Sequence, residues 1–98
     1  MTVEKEADVS KLVLHVGGET PKSLAAISNL ERICREHLDG KHAVEVIDLK
    51  KRRHLAREHS IVAIPTLVRQ LPVPIRKIIG DLSDTHKVLI SLNVTAGQ

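Results

Sequence analysis

A single α/β sandwich is predicted by three features of the sequence. Apolar residues change period along the chain, alternating over residues 11–16, taking helical spacing over 24–38 and returning to a Val- and Ile-rich run over 42–49. Turn and capping residues stand at the boundaries of those runs: Gly17-Gly18, Thr20-Pro21, Gly40 and Gly80. The length of 98 residues suits one domain built around one core.

Residues 1–10 are polar with little periodicity and read as a flexible tail. Residues 11–16 set Lys11, Val13 and His15 against Leu12, Leu14 and Val16, the pattern of a first strand. Thr20 is placed to cap a helix, with Pro21 in its first turn, where the missing N–H costs nothing. Leu24, Ile27, Leu30, Ile33, Cys34 and Leu38 share one broad side of that helix, and Gly40 is its terminator. Residues 42–49 read as a second strand, and the basic segment 50–59 as a short surface helix holding Leu55 and Ala56. The apolar, β-branched run 61–68 is broken by Pro65, which signals an edge, a turn or a cis bond rather than a central strand. Residues 71–74, Leu-Pro-Val-Pro, cannot be helical, and 75–79 form a further strand ended by Gly80. Ser83 caps the last element. The resulting order, β-α-β-α-β-β-α over residues 11–94, is that of a thioredoxin-like α/β domain.

The last element fits two periods. As a helix it gathers Leu82, Lys87, Val88, Leu89 and Leu92. As a strand it aligns Val88, Ile90, Leu92 and Val94 on one face, with Ser91 and Asn93 on the other. Either it is an ordinary helix with a coincidental alternation, or it can take up two structures of similar free energy.

Composition narrows the function. The chain has no Phe, Tyr or Trp, so its core must be built from Leu, Ile, Val and Ala, and self-association would offset part of the lost contact area. The formal net charge of +3 favours acidic partners. Binders of single-stranded nucleic acid combine a basic groove with stacking aromatics, which are missing here. Neither a charged-then-apolar leader nor an apolar run of roughly 18–20 residues is present, so a soluble, cytoplasmic protein is expected.

Little in the sequence promises chemistry. Disulfide exchange would need a thiol at the start of the first helix, where the helix dipole lowers its pKa, yet residues 18–23 are Gly-Glu-Thr-Pro-Lys-Ser. Cys34, the single cysteine, reads as a small buried hydrophobe. Cys34 and His37 are one helical turn apart, but no second pair completes a zinc site, and the six histidines read as exposed. No cofactor, metal or catalytic residue is therefore expected. The strongest electrostatic feature is the run Lys50-Lys51-Arg52-Arg53 followed by Arg57. Arg69, Arg76 and Lys77 lie among apolar residues near Pro65, Pro72 and Pro74, where long cations are not needed for solubility alone. Arg57, Arg69, Arg76 and Lys77 are accordingly the candidate docking charges for an acidic protein surface.

Several stretches carry a family resemblance. Residues 14–23, Leu-His-Val-Gly-Gly-Glu-Thr-Pro-Lys-Ser, resemble the opening of the KaiB circadian-clock family. Val46-Ile47-Asp48, Leu55-Ala56 and residues 61–67 look like its second strand, its short helix and its Pro-Thr-Leu strand entry. Residues 72–83 with Lys87-Val88-Leu89 are the most specific match, and the resemblance spans about residues 11–94. It implies a non-catalytic adaptor for KaiC, a hexameric ring ATPase that phosphorylates itself. It also implies a homo-oligomeric ground-state fold that exchanges with a thioredoxin-like fold through the C-terminal half. Pro65, taken as cis, Ser91 and Asn93 are the candidates for setting that equilibrium. The same shape occurs as the sensory domain of the clock-output histidine kinase, the rival reading. Cyanobacterial members carry aromatics, and commonly Gly and Asp where Ser91 and Asn93 stand here. These departures suggest a member outside the core cyanobacterial clock, in a clock or stress response, and put binding of KaiA in doubt.

Overall fold

The computed structural model describes residues 10–38 and 42–92. Its elements are β1 (Ser10–Val16), α1 (Pro21–His37), β2 (His42–Asp48), α2 (His54–Glu58), β3 (Thr66–Leu71), β4 (Arg76–Ile79) and α3 (Thr85–Ser91). The order is the expected β-α-β-α-β-β-α of a thioredoxin-like domain. The sheet runs β2-β1-β3-β4, with β1 and β2 parallel and the other two pairings antiparallel.

Strand alternation sends side chains into two unequal cores. Leu12, Leu14 and Val16 of β1 join Leu67 and Ile78 under α1 and α3, where Leu30, Ile33, Val88, Leu89 and Leu92 pack on them. Val13 points to the other side and meets Ile47, Leu49 and Leu55, beneath the short α2. Each such aliphatic side chain contributes roughly 1.5–3 kcal/mol on burial, so the larger core carries most of the hydrophobic stabilisation. On the α2 side, β4 is left open: Lys77 and Ile79 are exposed there.

The entry to α1 is fastened by small polar groups. Thr20 is the N-cap, its Oγ1 accepting from the Ser23 N–H at 3.2 Å, and Pro21 opens the helix. The Gly17 N–H donates to Ser23 Oγ, so a serine fills the position a larger side chain would block. Gly18 has φ +73°, the left-handed region glycine tolerates, and its N–H donates to the Asp48 carboxylate at 3.0 Å. The Lys50 and Gly18 N–H groups together hold the Asp48 carboxyl below its usual range.

Several expectations are revised. β1 begins at Ser10, assigned above to the tail, because Ser10 pairs with His42 of β2. Leu24 is 51% exposed, while Ser23 and Ala26 are buried; the inward stripe of α1 is rotated toward the smaller residues that let the helix lie close to the sheet. Asp84, not Ser83, caps α3, its carboxylate accepting from the Lys87 N–H at 3.1 Å. Lys87 is exposed and takes no part in the inward face of α3. The bonds preceding Pro65, Pro72 and Pro74 are all cis. The run 61–68 nonetheless leads into a central strand, contrary to expectation: Pro65 lies immediately before β3, so its missing N–H falls outside the hydrogen-bond ladder. Gly40, Asn93 and Val94 lie outside the described residues.

Candidate docking face

The position that carries a redox pair in an oxidoreductase of this fold is occupied by hydroxyls. Thr20 caps α1, Ser23 stands in its first turn, and the Thr20 hydroxyl donates to Ser23 Oγ at 3.0 Å. Cys34 lies thirteen residues beyond Pro21, buried in the main core, where desolvation pushes its thiol up to about 11. A thiol held that far above neutral pH supplies almost no thiolate, the form that attacks disulfides. The protein is expected to show no disulfide-reductase turnover in an insulin-reduction assay. Turnover that persists in Cys34→Ala would contradict this, since no thiol would then remain.

The docking charges expected from sequence divide in the structure. Arg57 is exposed on α2, beside exposed Arg52 and Arg53. Arg76 and Lys77 are exposed on β4, an edge strand. Lys77 pairs in register with Val68 and so shares the α2 side of the sheet, whereas Arg76 pairs with Arg69 and faces the other way. The Lys77 ammonium donates to the carbonyls of Ser60 at 2.9 Å and His59 at 3.4 Å, which tethers β4 to the turn after α2. The tether fixes where the cation sits before any partner arrives.

Arg69 departs from the expectation of an exposed cation. It is only 5% exposed, and its two terminal nitrogens donate to the Leu92 carbonyl at 2.7 Å and the Pro74 carbonyl at 2.8 Å. β3 is central, and the alternation that buries Leu67 buries Arg69 with it. The guanidinium clamps the proline turn and the end of α3 to the sheet, and in this conformation it is not available to a partner.

The apolar residues that neighbour the cations of β4 in sequence are largely exposed. Val73 is 73% exposed, and Ile75, Ile79 and Val62 also project into solvent. Their signal was the prolines: residues 72 and 74 prevent this stretch from pairing as a strand, so its apolar side chains have no sheet face to enter. Clustered exposed aliphatics beside cations characterise a protein-binding surface more than a solvated one. Of the equilibrium-setting candidates, Pro65 is buried, Ser91 ends α3 half-buried, and Asn93 lies outside the described residues. Among the described residues no three His, Cys, Asp or Glu side chains are grouped as metal ligands, and no helix is long and apolar enough to cross a membrane.

With this geometry in place, comparison with known proteins is decisive. The KaiB domain family matches residues 13–94. This chain belongs to the KaiB family. The circadian clock oscillator protein KaiB of Microcystis aeruginosa is 49% identical over 94 residues, covering 96% of this chain and 88% of the relative. That of Synechococcus elongatus is 47% identical over 87 residues, covering 89% and 85%. Among solved structures, the N-terminal domain of Synechococcus elongatus SasA superimposes with TM-score 0.72 at 22% identity, covering 94% of this chain and 90% of that one. Chloroplastic thioredoxin z does so with the same TM-score and identity, covering 98% and 87%. These two likenesses establish the thioredoxin-like fold of this KaiB-family chain.

Proposed function

We propose that this chain is a non-catalytic clock or stress-response adaptor that docks on a KaiC-type hexameric ring ATPase and modulates its phosphorylation state. The observation that supports this best, beside the family, is the β4 edge. Arg76 and Lys77 stand there between exposed Val73, Ile75 and Ile79, braced by the Lys77 tether and the Arg69 clamp. A braced surface loses little conformational entropy on binding, and its cations steer it toward an acidic partner. Arg57 extends the positive field on the α2 side.

The reading includes a second structure for the C-terminal half, with Pro65, Ser91 and Asn93 setting the balance, and a homo-oligomer in that second state. Serine favours a helix over glycine by several tenths of a kcal/mol, which biases residue 91 toward the helical form described above. The rival, a sensory domain of a histidine kinase, draws on the SasA likeness. The KaiB relatives match at about twice its sequence identity and favour the free-standing adaptor.

Charge reversal tests the docking face. Arg76→Glu and Arg57→Glu alter exposed side chains and leave the Lys77 tether in place. At low salt each is expected to slow association with a KaiC-type ring, together by about tenfold or more, as reversed rim charges do. Surface-binding kinetics at two ionic strengths would measure it. Unchanged rates for both variants would move the docking surface elsewhere.

A further inference from the structure

His15 is fully buried on β1, on the α2 side of the sheet, contrary to the exposed reading of the histidines. Its Nε2 lies 2.8 Å from Nδ1 of His59, in the turn after α2, and the rings meet edge-on at 85°. One nitrogen must donate and the other accept, so the bond survives a single extra proton and is lost only when both rings are protonated and two N–H groups face each other. His15 Nδ1 has no well-formed hydrogen bond among the described residues, with the Thr66 main chain its nearest polar neighbour, so the bond to His59 is the ring's main polar contact. The His59 turn is also the anchor of Lys77, which donates to the carbonyls of His59 and Ser60. One chain of contacts therefore runs from β1 through the histidine pair and the turn to β4.

We propose that the His15–His59 pair is a proton-operated latch, closed until both rings carry an extra proton, whose double protonation releases the turn after α2 and with it the tether of β4. Every group around the pair has been placed by the fold. On the α2 side of the sheet stand Lys11 on β1, Glu45 on β2 and Lys77 on β4, with Glu58 on α2. A cleft of about 570 Å³ lined by His15, His59, Glu58, Lys77 and Lys11 gives solvent a route to the rings. Burial, then His59, pushes the His15 pKa below its ordinary 6.5; the Thr66 main chain opposes this, Lys77 lowers it further, and Glu45 opposes in turn. The shift sets the sign. The unfolded chain takes up the proton more readily than the folded one, so this contribution to stability is complete above about pH 6.5 and is lost as pH falls toward the lowered native value. Among the described residues the pair has no third ligand, and the nearby Lys77 ammonium would repel a metal ion in the same place.

The latch predicts a specific acid response. Urea midpoints of the parent chain should fall between about pH 7.5 and pH 5.5, and the fall should be largely abolished in His15→Gln and in His59→Gln, which keep a hydrogen-bonding side chain that does not titrate. In the parent, NMR should show the His15 ring titrating below its ordinary value, with the Ser60 and Lys77 amides shifting in step. This second measurement needs no variant and stands even if His15→Gln folds poorly. The latch is overturned if both variants retain the full acid response, or if His15 titrates at or above its ordinary value. A midpoint raised by zinc chloride only when both histidines are present would overturn it in favour of a metal site.

Discussion

Arg69→Ala is expected to lower folding stability by about 2–4 kcal/mol and to free the end of α3. The guanidinium is buried with two main-chain carbonyls as partners, and the Leu92 carbonyl belongs to the C-cap of α3, where the helix dipole adds to the attraction for a cation. Truncation leaves both carbonyls without a donor, at about 1–3 kcal/mol each. Relief of the buried charge offsets part of this, since among the described residues no carboxylate pairs with it and Arg69 Nε has no hydrogen-bond partner. A domain of this size has about 5–15 kcal/mol to lose, so the variant should fold but with a markedly lower urea midpoint. Arg69→Met retains the packing of the aliphatic stem and should lose less. Arg69→Glu would set a carboxylate against two carbonyls and should not keep this fold, so a loss of partner binding in that variant would say nothing about docking. Hydrogen exchange at Val88–Leu92 provides the local readout, with faster exchange expected in Arg69→Ala. A midpoint indistinguishable from the parent's would mean that the clamp adds nothing.

The case of Arg69 shows which parts of the structure could be read from the residues. The order of the seven elements is legible, most firmly where periodicity and caps agree locally: Thr20-Pro21 opens α1 as its side-chain chemistry requires, and Gly17-Gly18 ends β1, whereas the cap of α3 and the bounds of β3 are not. Burial was less legible because it depends on which elements come to lie against each face. Alternation in β1 separates Leu12 and Leu14 from Val13 and His15 but does not reveal that the second set is covered as well. That depends on α2, forty residues further on. His15 and Arg69 look like surface residues for the same reason: each sits on a strand covered by segments distant in sequence, the 59–60 turn for one and the end of α3 for the other. Of the candidate docking charges, Arg57, Arg76 and Lys77 are exposed as a local reading expects, because β4 is an edge and α2 an outer helix. The apolar neighbours of Arg76 and Lys77 are visible in sequence, but their exposure is not, because it depends on the prolines keeping Val73 and Ile75 out of any strand.

Ile90→Pro should be the other strongly disruptive change, and its companion Ile90→Ala tests whether the double period of the last element has consequences. Ile90 is 63% exposed on α3, while Val88, Leu89 and Leu92 face the core. In this helix proline removes the N–H of residue 90 and drives its ring against the carbonyl one turn back, a cost of about 3 kcal/mol. The last turn should unravel and carry the Leu92 carbonyl away from Arg69. Alanine loses little burial at so exposed a position and gains a few tenths of a kcal/mol in helix propensity. In the strand alternative, by contrast, Ile90 shares a face with Val88 and Leu92, and truncation would cost that state the burial of a large aliphatic side chain. Ile90→Ala therefore stabilises the helix and weakens the strand at once. If the two states lie within about 1–2 kcal/mol, the helical population should rise several-fold. Backbone chemical shifts of Val88–Leu92 would report both effects: helical and intensified in Ile90→Ala, non-helical in Ile90→Pro with a lowered urea midpoint. Should Ile90→Ala leave a single helical set identical to the parent's at every concentration, the alternation is coincidence and this KaiB-family chain keeps one fold.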